Sequence, residues 1–105
     1  MIRDRELDLM KPTAMLINAC RGPVVDEAAL VRAIRENKIA MAALDVTEVE
    51  PTPPDNPLFE FDNVLITPHL AAFAQESTKR SQEFAIYNAS KVARGEEPES
   101  IVLPE

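Results

Sequence analysis

Three short apolar runs punctuate the chain: residues 14–17 (AMLI), Met41–Leu44 (MAAL) and Val64–Ile66 (VLI). None alternates apolar with polar positions, so the period of two that marks a half-solvated strand is missing. Continuous runs of this length predict strands buried on both faces, as in a parallel sheet. The alanine-rich second run also suits a helix. Between the first two runs, residues 26–37 place Leu30, Ala33 and Ile34 on one helical face. Asp26 is a natural cap for that helix, and Glu27 suits the positive end of its dipole. Strand, helix and strand in this order predict a right-handed crossover unit. Residues 46–63 reach the third strand through a loop held open by Pro51, Pro53, Pro54 and Pro57, with a helical turn near Leu58 and Phe59. Residues 74–94 read as a long helix whose apolar residues, Phe84, Ala85, Ile86, Ala89 and Val92, all lie in its second half. Residues 3–10 read as the end of a helix stopped by Pro12. Residues 95–105 read as an irregular tail in which Ile101, Val102 and Leu103 could dock. A chain that opens on the end of a helix and enters a buried strand reads as part of a larger sheet.

Composition narrows the classes. One hundred and five residues suffice for one domain, and 46% apolar with 28% charged residues is ordinary for a globular chain. Eleven Lys and Arg face eighteen Asp and Glu, a formal charge of −7 that would repel phosphate and argues against nucleic acid as a partner. No apolar run approaches membrane-spanning length, and no signal peptide is visible. Cys20 is the only cysteine, so no internal disulfide forms and a cytoplasmic setting is expected.

Each predicted strand runs into polar residues. The first ends at Asn18-Ala19-Cys20-Arg21-Gly22, the second at Asp45 with Glu48 and Glu50 behind it, and the third at Thr67-Pro68-His69. Ligands of open parallel sheets bind beyond the carboxyl ends of the strands. One arginine, several carboxylates and the only histidine should therefore meet at one edge, an acid–base site beside an anion-binding guanidinium. No metal-ligand set is assigned. Taken singly, each residue has a plainer reading: Arg21 as a surface residue, His69 as a loop histidine, Asp45 as a strand end, Glu48 as a solvated acid, and Cys20 as a small residue filling a tight strand end.

Three blocks carry a resemblance beyond pattern. Residues 10–26 (MKPTAMLINACRGPVVD), residues 42–51 (AALDV, then EVEP) and residues 63–69 (NVLITPH) resemble, in order and spacing, signatures of the D-isomer-specific 2-hydroxyacid dehydrogenases. The likeness runs from about residue 6 to 104. The chain departs from the family pattern at Thr47, where an aromatic is frequent, and at Met41, where glycine is frequent. The family's Gly-x-Gly-x-x-Gly turn has no counterpart, because the chain holds only Gly22 and Gly95.

The resemblance implies an α/β fold: a partial Rossmann-like three-layer unit with about three parallel strands, a crossover helix and a long C-terminal helix. Residues 1–94 would form the C-terminal half of a dinucleotide-binding domain and 95–105 its tail. It implies hydride transfer between NAD or NADP, with NAD favoured, and C2 of a small 2-oxo or 2-hydroxy acid. His69 would be the acid–base residue, Glu50 its carboxylate partner, and Arg21 the grip on the substrate carboxylate. A carboxylate beside an imidazole favours its protonated form, and a planar guanidinium matches two oxygens. Ala19, Cys20, Arg21 and Asp45, with His69, Leu70, Ala71 and Ala72, would line the nicotinamide side of the cofactor. The complete enzyme would be a homodimer, and this chain, made alone, would be inactive. Two rivals stand beside this reading: a non-enzymatic, NAD-sensing binding module of the same fold, and an inert truncated fragment. Turnover assays with 2-oxo acids separate the first rival, and the DNA upstream of Met1 the second.

Overall fold

The computed structural model describes residues 1–101. The elements follow in the order α1 (Asp4–Asp8), β1 (Met15–Asn18), α2 (Glu27–Arg35), β2 (Met41–Leu44), β3 (Val64–Ile66) and α3 (Gln75–Ala93), with 3-10 turns at Gly22–Val24 and Pro57–Glu60. They divide into two compact units, Met1–Ala71 and the chain from Ala72 onward.

In the first unit the three strands form one parallel sheet in the order β1-β2-β3. Met15 pairs with Met41 and Asn18 with Leu44; Ala42 pairs with Val64 and Leu44 with Ile66. The carboxyl ends of all three strands are thereby level. The alanine-rich second run is strand, because both neighbours supply its ladder. Helix α2 begins where Asp26 accepts a hydrogen bond from the Ala29 amide at 2.9 Å, and its last turn carries Arg32 and Arg35. These features satisfy a free amide and suit the dipole. The predicted face of α2 is the buried one: Leu30, Ala33 and Ile34 join Leu7 of α1, Ile39, Ala42, Leu44 and Leu58 in one core. Leu58 belongs to the expected helical turn, held by Asn56 accepting from its amide at 2.9 Å.

The expectation of strands buried on both faces is corrected. Leu16, Ala42, Leu44, Val64 and Ile66 pack into the core, whereas Ile17 is 70% and Leu65 59% exposed. Within this unit both helices contribute to a single core, and the alternate residues of each strand are left open. An unbroken apolar run states what a strand tolerates on each face; only the packing states what covers it.

In the second unit α3 spans nearly the expected range and holds no buried residue. Gly95, at φ +76°, closes its end, with its amide bonded to the Val92 carbonyl at 2.9 Å. Ile101 is 46% exposed; Val102 and Leu103 lie outside the described residues. No helix among the described residues is long and apolar enough to cross a membrane.

Candidate active site

The loops that leave the three level strands carry every residue singled out in the first unit. After β1, the buried Asn18 organises the turn: its side-chain oxygen accepts from the Cys20 amide at 3.1 Å and its side-chain nitrogen donates to the Arg21 carbonyl at 3.0 Å. Arg21 is exposed, and its guanidinium makes one hydrogen bond among the described residues, from Nη1 to the Cys20 carbonyl at 2.7 Å. Most of its fork is free. Cys20 is exposed rather than filling a tight strand end, because Asn18 occupies the buried position there.

After β2 the chain turns through Asp45, Val46 and Thr47, all buried. The Asp45 carboxylate accepts from the Thr67 hydroxyl at 2.6 Å, the Leu70 amide at 2.8 Å and the Ala71 amide at 2.8 Å. The Asp45 carbonyl accepts from the His69 amide at 2.8 Å. The Thr67 hydroxyl and the two amides hold the Asp45 carboxyl below its ordinary range against the opposing effect of burial. Asp45 is therefore more than a strand end: it folds the segment after β3 back over β2. His69 takes φ +55° in this bend, a left-handed conformation rare for a residue with a side chain.

This bend brings His69 to Glu50. The His69 Nδ1 lies 2.8 Å from Glu50 Oε2, and the other Glu50 oxygen accepts from the Thr47 amide at 3.2 Å. The hydrogen bond from His69 holds the Glu50 carboxyl below its usual range; the Thr47 amide and the Arg21 charge act in the same direction, against burial. Both side chains are partly open to solvent. A cleft of about 580 Å³ adjoins them, lined by Asp45, Thr47, Glu50, Pro51, Thr52, Phe59, Ile66, Thr67, Pro68 and His69. A shallower hollow of about 120 Å³ lies over the strand ends, lined by Ile17, Asn18, Ala19, Ala43, Leu44, Asp45, Leu65 and Thr67.

Glu50 and His69 thus meet, and Arg21 stands close enough for its charge to act on Glu50 without a hydrogen bond to it. Leu70 and Ala71 are exposed, with their amides turned to Asp45; Ala72 opens the second unit. Glu48 is not simply solvated. Its carboxylate accepts from the Glu27 amide at 3.0 Å, while its own amide donates to the Glu27 carboxylate at 3.1 Å. Asn18, Thr47 and Glu27 are not among the site residues expected from the sequence. Their signals are ordinary, a polar residue at a strand or helix end, and only their partners give them weight.

The family profile of the D-isomer specific 2-hydroxyacid dehydrogenase, NAD binding domain, matches residues 1–71. A glyoxylate reductase of Thermofilum pendens is 50% identical over 105 residues, all of this chain and 31% of that protein. A D-3-phosphoglycerate dehydrogenase of Methanocaldococcus jannaschii is 45% identical over 92% of this chain and 18% of its own length. Among solved structures, a D-isomer specific 2-hydroxyacid dehydrogenase from Xanthobacter autotrophicus Py2, in complex with NADPH and MES, superposes with a TM-score of 0.86 at 43% identity, covering 98% of this chain and 42% of that one. D-lactate dehydrogenase with NAD+ from Lactobacillus jensenii gives 0.80 at 32% identity, covering 99% and 35%. The chain spans about a third or less of the length of these curated relatives. With matching blocks, matching topology and a family profile over two-thirds of its length, the chain belongs to the D-isomer-specific 2-hydroxyacid dehydrogenase family, as part of its NAD-binding domain.

Proposed function

We propose that the protein carrying this chain is an oxidoreductase that reduces a small 2-oxo acid to its D-2-hydroxy acid, or runs the reverse reaction, with NAD or NADP. The observation that carries this is the contact of 2.8 Å between His69 and Glu50 beside a cleft at the level ends of the strands. When bound, the nicotinamide cofactor supplies or accepts the hydride. Glu50 engages Nδ1, which leaves Nε2 to exchange a proton with substrate. Protonated His69 donates from Nε2 to the keto oxygen during reduction, and neutral His69 takes that proton back during oxidation. The free part of the Arg21 fork binds the substrate carboxylate and polarises the adjacent carbonyl.

The hollow over the strand ends has an apolar floor from Ile17, Ala43 and Leu65, which suits a flat ring. Ala19 and Asp45 line this hollow, and Cys20, Arg21 and the segment from His69, at the same strand ends, would complete the nicotinamide side of the site. Neither glycine of this chain forms a turn for the pyrophosphate. Gly22 is buried against the Thr47 carbonyl, and Gly95 ends α3. The same proposal takes residues 1–94 as the C-terminal half of the dinucleotide-binding domain with 95–105 as a tail, the working enzyme as a homodimer, and its setting as the cytoplasm. Glyoxylate is the first substrate to test, since several relatives at 43–50% identity are named glyoxylate reductases. The intact protein is expected to oxidise NADH or NADPH in the presence of glyoxylate or hydroxypyruvate, and His69→Gln to lose most of that activity at every pH. Tight cofactor binding with no turnover of any 2-oxo acid would replace the enzyme by the NAD-sensing module.

A further inference from the structure

The departure at Thr47, which the catalytic assignments leave unused, sits at the centre of the loop that carries Glu50. Thr47 is 4% exposed. Its hydroxyl donates to the Val49 carbonyl at 2.9 Å and lies 2.8 Å from the Thr52 hydroxyl. With its own proton on Val49, the Thr47 oxygen receives the proton of Thr52. The turn from 47 to 52 is thereby closed across Glu50. The backbone on either side is also constrained. A Cβ on Gly22 would stand 1.9 Å from the Thr47 carbonyl oxygen, so the residue after Arg21 presses directly on Thr47. Next to it, Glu48 and Glu27 exchange amide-to-carboxylate bonds, and Asn56 donates to Glu27 at 2.6 Å.

We propose that Thr47 is a positioning residue for the Glu50–His69 pair: its hydroxyl closes the 47–52 turn and its amide holds the Glu50 oxygen that His69 does not engage. An aromatic at this position would carry no hydroxyl at the Oγ1 position that bridges Val49 and Thr52. The inference rests on the acid–base reading of the pair, and acts through Glu50 rather than on substrate. The charged groups acting on Glu50 are His69 and Arg21, and His69 acts on Asp45 as well.

The test is NMR titration of the Glu50 carboxyl carbon and the His69 ring nitrogens in the intact protein, with steady-state kinetics alongside. Thr47→Val keeps the shape and the amide but removes the hydroxyl. Glu50 is then expected to titrate at higher pH, nearer the ordinary value of 4.5, and the His69 Nδ1 signal to lose its hydrogen-bonded shift. The kcat for 2-oxo acid reduction should fall by at least about tenfold, with KM changed far less. Thr47→Ser should restore both signals and rate. Thr52→Val removes the same hydroxyl contact from the less buried side and should move the signals in the same direction. An unchanged Glu50 titration and an unchanged His69 Nδ1 signal in folded Thr47→Val, or in Thr52→Val should the first not fold, would overturn the proposal. Shifted signals in a protein that reduces no 2-oxo acid would uphold the positioning role and remove the enzymatic reading instead.

Discussion

Arg21 uses one nitrogen to hold the carbonyl of Cys20, and the remainder of its guanidinium faces solvent. A lysine at this position would keep the charge and lose the planar two-point contact. In the intact protein Arg21→Lys should therefore lower catalytic efficiency with 2-oxo acids by at least about tenfold, or roughly 1.4 kcal/mol of transition-state binding. Cofactor affinity, read separately by titration, should change little. Glu50 calls for a different measurement. Its carboxyl is held below the ordinary 4.5, so the charge it offers His69 is complete above that value and fades as pH falls through the lower, folded value. Glu50→Gln keeps an acceptor for Nδ1–H but removes the charge that favours imidazolium. Keto-acid reduction, which needs protonated His69, should survive better at mildly acidic than at alkaline pH. An unshifted profile would make Glu50 a solvated loop acid.

At the scale of elements, the site depends on how the end of β2 captures the segment after β3. Asp45 takes one hydroxyl and two amides from residues that follow β3, and its backbone takes the His69 amide. Asn in its place presents an NH2 group to one set of these donors, so at least one hydrogen bond is lost and two donors oppose each other. Asp45→Asn should speed amide exchange at Leu70 or Ala71 and weaken the His69–Glu50 contact without melting the sheet. The sign of the pH effect follows from the depressed Asp45 carboxyl. Its contribution is full above the ordinary 3.8 and fades as pH falls through the lower, folded value. Protection of the Leu70 and Ala71 amides, corrected for intrinsic exchange, should stay level from neutral pH down to about 4 and drop below it. A loss of protection already at pH 6 would show that another group holds the bend.

At the scale of the molecule, the first unit has its own core, in which Leu7, Leu30, Ile39 and Leu58 are fully buried. It also carries an open sheet face with Ile17, Leu65, Met15 and Met41 exposed. In the second unit α3 leaves Phe84, Ile86, Tyr87 and Val92 exposed and buries none of its residues. Exposed apolar surface of this kind drives association, and unpaired sheet edges template it. Residues 1–105 produced alone should therefore self-associate in sedimentation. They should also show no saturable NADH binding by calorimetry at sub-millimolar concentration, since no glycine turn receives the pyrophosphate and the net charge of −7 opposes it. A monomeric, cooperatively melting chain that binds NADH tightly would contradict this.

The amino-acid sequence alone determined what depends on near neighbours. The strands fall within a residue of the apolar runs, and α2 starts at the aspartate that caps it, because run length, helical spacing and capping are local properties. The edge where Arg21, Asp45, Glu50 and His69 gather also follows from strand order, while their roles came from the resemblance of the blocks that hold them. Tertiary structure alone decided the rest. Glu50 and His69 are 19 residues apart, and Asp45 is 25 residues from the Leu70 amide it holds. The identical apolar character of Leu16 and Ile17 conceals that one is packed into the core and the other lies open. The closeness of Gly22 to Thr47, and the hydroxyl bridge that places Glu50, have no periodicity to announce them. Contacts of this kind depend on which surfaces the folded backbone brings together, a property of the whole packing that no window of neighbouring residues contains.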